Sequence, residues 1–216
     1  MNPMELNILR FMRRRIPHIY SSKAVLACLR RGIGKEIGTT PNLLGFVLPE
    51  QEISNYPRQE EQIERALYTA LTLYAFHQQG IERCMSDGLT DEDTAVSNRN
   101  SFGYAAGKLF RASESEAGVR RRFNQVLTAN SLTELSVHAR GIIGLMKKHN
   151  ITIDYPQFAL DLYRFQQLDC HRKIVLNWGK DYYMEDAKKG TKIWNTRSIF
   201  MHVLIRQDFR ISVHGR

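Results

Sequence analysis

The chain has 216 residues, of which 43% are hydrophobic and 25% are charged, a composition typical of a folded globular protein and unlike that of a disordered chain. It contains no run approaching the roughly 18 apolar residues that a membrane-spanning helix needs, so we expect no membrane association. The formal net charge of +9 at pH 7 favours a polyanionic partner.

Positive charge is concentrated towards the two ends of the chain. Arginines and lysines crowd residues 10–35 and 188–216, and two acidic stretches lie between them, at residues 50–64 and 82–93. This distribution predicts a protein with a basic face and an acidic back.

The three cysteines, Cys28, Cys84 and Cys170, lie far apart and form no Cys-x-x-Cys pair. Such an odd, scattered set indicates neither a disulfide framework nor a zinc ribbon. The N-terminus also lacks the apolar stretch of a secretory signal. We therefore expect a cytoplasmic protein.

In the first half of the chain, apolar residues at helical spacing are flanked by capping residues and helix breakers. They predict a basic helix over residues 4–15, a second helix from Ser21 or Ser22 to Gly32, and a third from about residue 60 to Gly80. Pro17 is expected to end the first helix. An irregular connection over residues 37–56 and a loop over residues 86–100 complete this half.

The second half continues the helical pattern. Ser101, Ser131 and Asp154 are predicted to cap three helices at their N-termini. An arginine-bearing helix follows Ser113–Gly118, and the last clear helix covers residues 170–186. We predict an all-α helical bundle, either undivided or as two small lobes over residues 1–95 and 96–189. Residues 190–216 would form a basic extension, partly strand-like in composition.

The arginine-bearing helix is amphipathic. At roughly 100° per residue, Val119, Phe123, Val126 and Leu127 share the inward face. Arg121 then points away from that face, while Arg120 and Arg122 flank the apolar stripe. On the last helix, Ile174, Trp178 and Tyr182 share one side, and Lys173, Asn177 and Lys180 form a separate basic stripe. For a single arginine a solvated surface is the ordinary explanation, but three in succession favour an anionic ligand.

Catalytic and cofactor motifs are not apparent. The glycines Gly32, Gly34 and Gly38 do not spell a dinucleotide-binding motif, and no Ser or Thr follows Lys35 as a phosphate-binding loop requires. The seven histidines show no metal-binding spacing. We therefore predict no enzyme activity, no catalytic residue, no metal and no cofactor, although a nuclease or hydrolase without a recognisable motif stays open.

Binding to nucleic-acid backbone fits the pattern better, because phosphates need several cations on a rigid surface. Tyrosines such as Tyr104 or Tyr182 could stack on bases, but aromatic residues at helical spacing more often belong to a core. The predicted nucleic-acid-binding residues are Arg30, Arg31, Arg120, Arg121, Arg122, Lys173 and Lys180.

Five short segments, taken in order, resemble the CasB family, the small subunit of the type I-E CRISPR surveillance complex, Cascade. The resemblance spans about residues 24–186 and rests on the combined order and spacing of Leu29-Arg30-Arg31-Gly32, Ser101-Phe102-Gly103 with Ala105-Ala106, Arg121-Arg122-Phe123-Asn124 with Leu127, Leu160-Asp161-Leu162-Tyr163, and Trp178-Gly179-Lys180-Asp181-Tyr182-Tyr183.

The resemblance implies an all-helical, non-enzymatic subunit of a crRNA-guided antiviral complex in a prokaryotic cytoplasm. Its partners would be the backbone and large Cascade subunits, a second copy of itself, the crRNA-paired target DNA and the displaced strand. Basic helices would stabilise the R-loop without reading sequence. The alternative is a helical interaction subunit or regulator that does not bind nucleic acid directly and whose charge serves only complementarity or solubility.

Overall fold

The computed structural model describes residues 1–48, 56–90 and 101–187. Within these ranges the chain forms helices α1 to α9, with a single turn of 3₁₀ helix at Pro41–Leu43 before α3. The helices are α1 Pro3–Tyr20, α2 Lys23–Arg31, α3 Leu44–Val47, α4 Glu60–His77, α5 Phe102–Ala112, α6 Glu116–Leu127, α7 Leu132–Lys148, α8 Tyr155–Phe165 and α9 Leu168–Ala187.

Two short strands accompany the helices. β1 (Ser86–Asp87) pairs in parallel with β2 (Ile153–Asp154), with Ser86 opposite Ile153. The pair joins the segment after α4 to the start of α8. Because all other regular structure in the described residues is helical, the predicted all-α class is confirmed.

Helix starts follow the capping residues seen in the sequence. The side-chain oxygens of Ser22, Ser101, Ser131 and Asp154 each accept a hydrogen bond from a backbone N–H in the first turn of the helix that follows. Each bond satisfies one of the four N–H groups that a helix leaves unpaired at its N-terminus. The predicted caps of α2, α5, α7 and α8 are therefore confirmed.

Two helix boundaries differ from the sequence prediction. Pro17 does not end α1, which continues to Tyr20. Ile16 and Ile19 are both fully buried, and their burial offsets the hydrogen bond that the proline cannot donate. The arginine-bearing helix, α6, begins at Glu116 rather than after Gly118, and the carboxylate of Glu116 in the first turn complements the helix dipole.

The buried apolar residues of the described segments form one continuous core. α4 lies at its centre, with eleven buried residues from Ile63 to His77, and packs against α2, α7 and α8. α1 packs on α8, and α5 packs on α9. An ion pair also ties α1 to α8, where Arg164 Nε donates to Glu5 Oε1 at 2.8 Å.

α5 and α9 approach each other closely at Gly103. A Cβ atom added at Gly103 would lie 2.2 Å from the Trp178 carbonyl oxygen and 2.6 Å from its Cα. The ring centroids of Phe102 and Trp178 are 5.1 Å apart, and Phe158 of α8 stacks on Phe102 at 4.9 Å. A glycine is thus required for α9 to approach α5 at this point.

The buried carboxyl group of Asp161 holds the indole ring of Trp178 in place. Trp178 Nε1 and Gln157 Nε2 each donate to Asp161 at 2.8 Å. Ser101, which caps α5, also donates through Oγ to Asp181 Oδ2 at 2.5 Å. Hydrogen bonds therefore connect α5, α8 and α9 in addition to the aromatic packing.

The predicted division into lobes over residues 1–95 and 96–189 stays a prediction, because its boundary falls within residues 91–100, outside the described segments. The predicted basic, partly strand-like extension over residues 190–216 also lies outside them.

Replacing Gly103 with alanine should destabilise the protein by about 1 to 3 kcal/mol, the usual cost of forcing an extra methyl group into a packed core. The matched control is Gly141→Ala on α7, where an added Cβ meets nothing within 4 Å. There, the higher helix propensity of alanine should stabilise by up to about 1 kcal/mol. Chemical denaturation measures both variants, and equal stabilities would refute the close contact.

A pH-dependent contribution to stability is expected from Asp161. Burial raises its pKa from the usual 3.8 to about 6, although the hydrogen bonds from Trp178 and Gln157 oppose the shift. Between these values the folded state holds a proton that the unfolded state has released, so the contribution of this group falls as pH rises. It is complete below about pH 4 and lost above about pH 6.

Unfolding free energies of the wild type and Asp161→Asn, measured from about pH 4 to about pH 7, should therefore change relative to each other. The variant should gain about 2 to 3 kcal/mol on the wild type across this range. A constant difference would show that Asp161 does not titrate in the window.

Candidate nucleic-acid interface

The three consecutive arginines of α6 occupy different environments. Val119, Phe123, Val126 and Leu127 are buried as the helical phase predicts, while Arg121 and Arg122 are exposed. Arg122 Nη1 donates to the Gly118 carbonyl at 3.3 Å along its own helix. Both side chains therefore present charge to solvent from a helix that its apolar face holds in place.

Arg120 is the exception among the three. It is half-buried, and its guanidinium carbon lies 5.0 Å from the ring centroid of Phe110 on α5. Such a cation held over an aromatic face contributes about 0.5 to 2 kcal/mol, depending on its exposure. Arg120 therefore packs α6 against α5, and its charge is less available to a ligand than that of Arg121.

α9 carries the second predicted stripe. Ile174, Trp178 and Tyr182 are buried, whereas Lys173 and Lys180 are exposed. Burial raises the pKa of the neighbouring Asp181, against the hydrogen bond from Ser101 and the positive charge of Lys180. When Asp181 is ionised it offsets part of the positive potential at Lys180, and Lys173 has no carboxylate next to it in sequence.

The fold places the α6 and α9 cations on adjoining helices. Phe123 of α6 stacks on Tyr182 of α9 with ring centroids 4.4 Å apart. Tyr182 and Tyr163 are both buried, so these tyrosines belong to the core. Tyr104 is half-buried, with Lys108 Nζ 5.0 Å from its ring centroid.

Arg30 and Arg31 lie apart from this pair of helices, at the C-terminal end of α2. Arg31 is exposed and Arg30 is half-buried. Positive charge near a helix C-terminus complements the helix dipole, which gives both residues a structural role as well. Burial lowers the pKa of Lys147 in α7, and the charge of Arg30 lowers it further. The charge of Arg30 therefore acts on a lysine that is distant in sequence.

Sequence reasoning missed the cations of α7. Arg140, Lys147 and Lys148 lie along one side of this helix, and the first two lie near Phe76 at the end of α4. The spacing of Arg140 and Lys147, seven residues apart, was visible in the sequence as a shared helical face. The groove they border depends on α4 and was not visible.

Within the described residues, no group of three or more His, Cys, Asp or Glu side chains is placed to hold a metal ion. A membrane-spanning helix is likewise not found in those parts of the chain.

A family model described as CRISPR-associated protein Cse2 matches residues 25–183. The chain belongs to this family. Among curated proteins, none matches the sequence.

Solved structures resemble the Cse2-family chain over most of its length. CasB from Thermobifida fusca is 25% identical, with a TM-score of 0.66, and the match covers 84% of this chain and 98% of that one. CasB from M. ruber is 21% identical, with a TM-score of 0.59 and coverages of 88% and 98%.

A chain of a structure described as a CRISPR RNA-guided surveillance complex is 18% identical to this one, with a TM-score of 0.60 and coverages of 88% and 99%. Together with the family match, the CasB structures confirm the resemblance found in the sequence.

The different environments of Arg120 and Arg121 predict different effects of removing them. Arg120→Ala should lower the unfolding free energy by about 1 kcal/mol, because it removes the contact with Phe110 and the packing of the side-chain stem. Arg121→Ala should change it by less than about 0.5 kcal/mol, as is usual at exposed positions. Thermal or chemical denaturation compares them, and equal losses would contradict the packing role of Arg120.

Proposed function

We propose that this Cse2-family chain is a non-catalytic, nucleic-acid-binding small subunit of a crRNA-guided antiviral surveillance complex. It assembles with the backbone and large subunits and with a second copy of itself, in a prokaryotic cytoplasm. The family match over residues 25–183 and the likeness to a chain of an RNA-guided surveillance complex support this assembly role.

The observation that carries nucleic-acid binding is the display of exposed cations on helices fixed by a buried aromatic contact. Arg121 and Arg122 on α6 and Lys173 and Lys180 on α9 are exposed. The stacked Phe123 and Tyr182 hold the two helices together beneath them. Cations on a stiff scaffold bind backbone phosphates without reading base sequence.

Opening a DNA target by a guide RNA is a nearly balanced exchange of one duplex for another. A few contacts to the backbone of the target or displaced strand are therefore enough to shift it. In our proposal the exposed cations of α6 and α9 supply such contacts and stabilise the R-loop. Arg31 supplies a further contact on α2, apart from these two helices, whereas Arg30 and Arg120 contribute at the edge of packed regions.

Charge reversal tests this assignment. The triple variant Arg121→Glu, Arg122→Glu and Lys180→Glu should bind fluorescent single-stranded DNA more weakly than the wild type. Its affinity should also depend less on salt. Each lost phosphate contact reduces the slope of log K against log salt by about 0.7, so the slope should fall by about 2. Anisotropy titrations over a salt series measure both quantities.

The matched control reverses three exposed cations on other elements, Arg10, Lys23 and Arg58, and so has the same net charge. It should retain most of the affinity and the salt slope. Equal losses in both triple variants would mean that net charge alone governs binding. Unchanged affinity in the first variant would remove these residues from the interface, and absence of any DNA binding by the wild type would favour a purely protein-binding subunit.

The R-loop role is tested in the assembled complex. Permanganate reacts with unpaired thymines and so reports how far the displaced strand is open. With the Arg121→Glu, Arg122→Glu and Lys180→Glu variant, the displaced strand should be less reactive than with the wild type. If the control variant and the triple variant give the same pattern, the cations do not act on the open target.

A further inference from the structure

A groove lies between the end of α4 and one side of α7. Its volume is about 810 Å³. Its lining includes the apolar side chains of Phe76, Ile81 and Leu145, which we call the floor, and the glycines Gly141 and Gly144 of α7. A Cβ at Gly141 would meet nothing within 4 Å, and one at Gly144 would make only ordinary contact with the Phe76 ring. The groove therefore has room for side chains of a second molecule.

The rim of the groove is uniformly basic. Arg140, Lys147 and Lys148 border it, and no acidic side chain is among the described residues that line it. The Arg140 guanidinium carbon lies 5.2 Å from the Phe76 ring centroid, and Lys147 Nζ lies 5.4 Å from it. This lining therefore favours an occupant that carries negative charge.

The floor distinguishes between classes of anionic partner. Nucleic-acid interfaces are strongly polar, and stacking of a base would need the Phe76 ring face that the two cations approach. An apolar floor surrounded by charged side chains is instead the usual arrangement of a protein–protein contact. At one end Val137 is 61% exposed, so apolar surface continues out of the groove. The observations favour a peptide with apolar and acidic side chains.

We infer that this groove docks an acidic, amphipathic segment of another protein chain, whose apolar side chains fill the space over Phe76, Ile81 and Leu145 and whose carboxylates pair with Arg140, Lys147 and Lys148. The segment binds by combining both features, since exposed ion pairs alone contribute little. This site is separate from the exposed cations of α6 and α9 and does not require that they bind DNA.

The test uses two fluorescent peptides with the same number of glutamates. In the first, leucines at helical spacing form one apolar face, and in the second serines replace them. Anisotropy with the full chain should show the Leu–Glu peptide binding about tenfold more tightly than the Ser–Glu peptide, which corresponds to roughly two buried methylene groups. Equal affinities would overturn the proposal, because charge alone would then explain the binding.

Substitutions in the groove test whether the peptide binds there. Gly141→Trp fills the groove without changing charge, and Arg140→Glu with Lys148→Glu reverses the rim. Each should weaken binding of the Leu–Glu peptide about tenfold or more. Gly45→Ala on α3, where an added Cβ meets nothing within 4 Å, and Arg10→Glu should leave it unchanged. Wild-type affinity in Gly141→Trp would overturn the proposal.

Single-stranded oligothymidine provides the competing arm. It should neither displace the Leu–Glu peptide efficiently nor lose affinity in Gly141→Trp. If it does both, the groove holds nucleic acid and the peptide proposal fails. Loss of oligothymidine binding in the α6 and α9 triple variant, with peptide binding retained, would separate the two surfaces.

Discussion

The close approach of α5 and α9 is the constraint on which the presentation of positive charge depends. Gly103 leaves space for the backbone at Trp178, and Asp161 accepts a hydrogen bond from the indole of the same tryptophan. With Trp178 fixed inward, the rotation of α9 about its axis is set, and Lys173 and Lys180 must face solvent. Tyr182, one turn further along, then reaches Phe123 and fixes α6 by the same packing.

The segments that suggested the family are therefore chiefly those that build the fold. Gly103, Asp161 and Trp178 are buried and contact one another or shared neighbours. They identify the fold because few other residues satisfy a backbone contact and a buried hydrogen bond at those positions. The exposed arginines of α6 lie beside this framework and make few contacts that would specify their identity. A family resemblance consequently supports the architecture more strongly than it supports any single ligand contact.

Local signals predicted the helices well, because caps and apolar periodicity act within a few residues. Ser101 and Asp154 begin their helices by bonds that the sequence alone implies. The prediction that Pro17 ends α1 was wrong, because the burial of the neighbouring isoleucines is a tertiary effect. The helical phase placed Arg121 outward correctly, but the contact of the Arg120 guanidinium with the Phe110 ring joins separate helices. Periodicity within one element carries no information about such contacts.

Arg140 and Lys147 lie 5.2 and 5.4 Å from the centroid of the same Phe76 ring, so the folded chain holds two like charges near each other. The unfolded chain separates these charges, so the repulsion counts against folding, and any anion that settles beside them relieves it. Small anions in solution and a carboxylate-bearing partner thus compete to provide the same relief. A partner that supplies the carboxylate would therefore gain a small part of its binding free energy by relieving this repulsion.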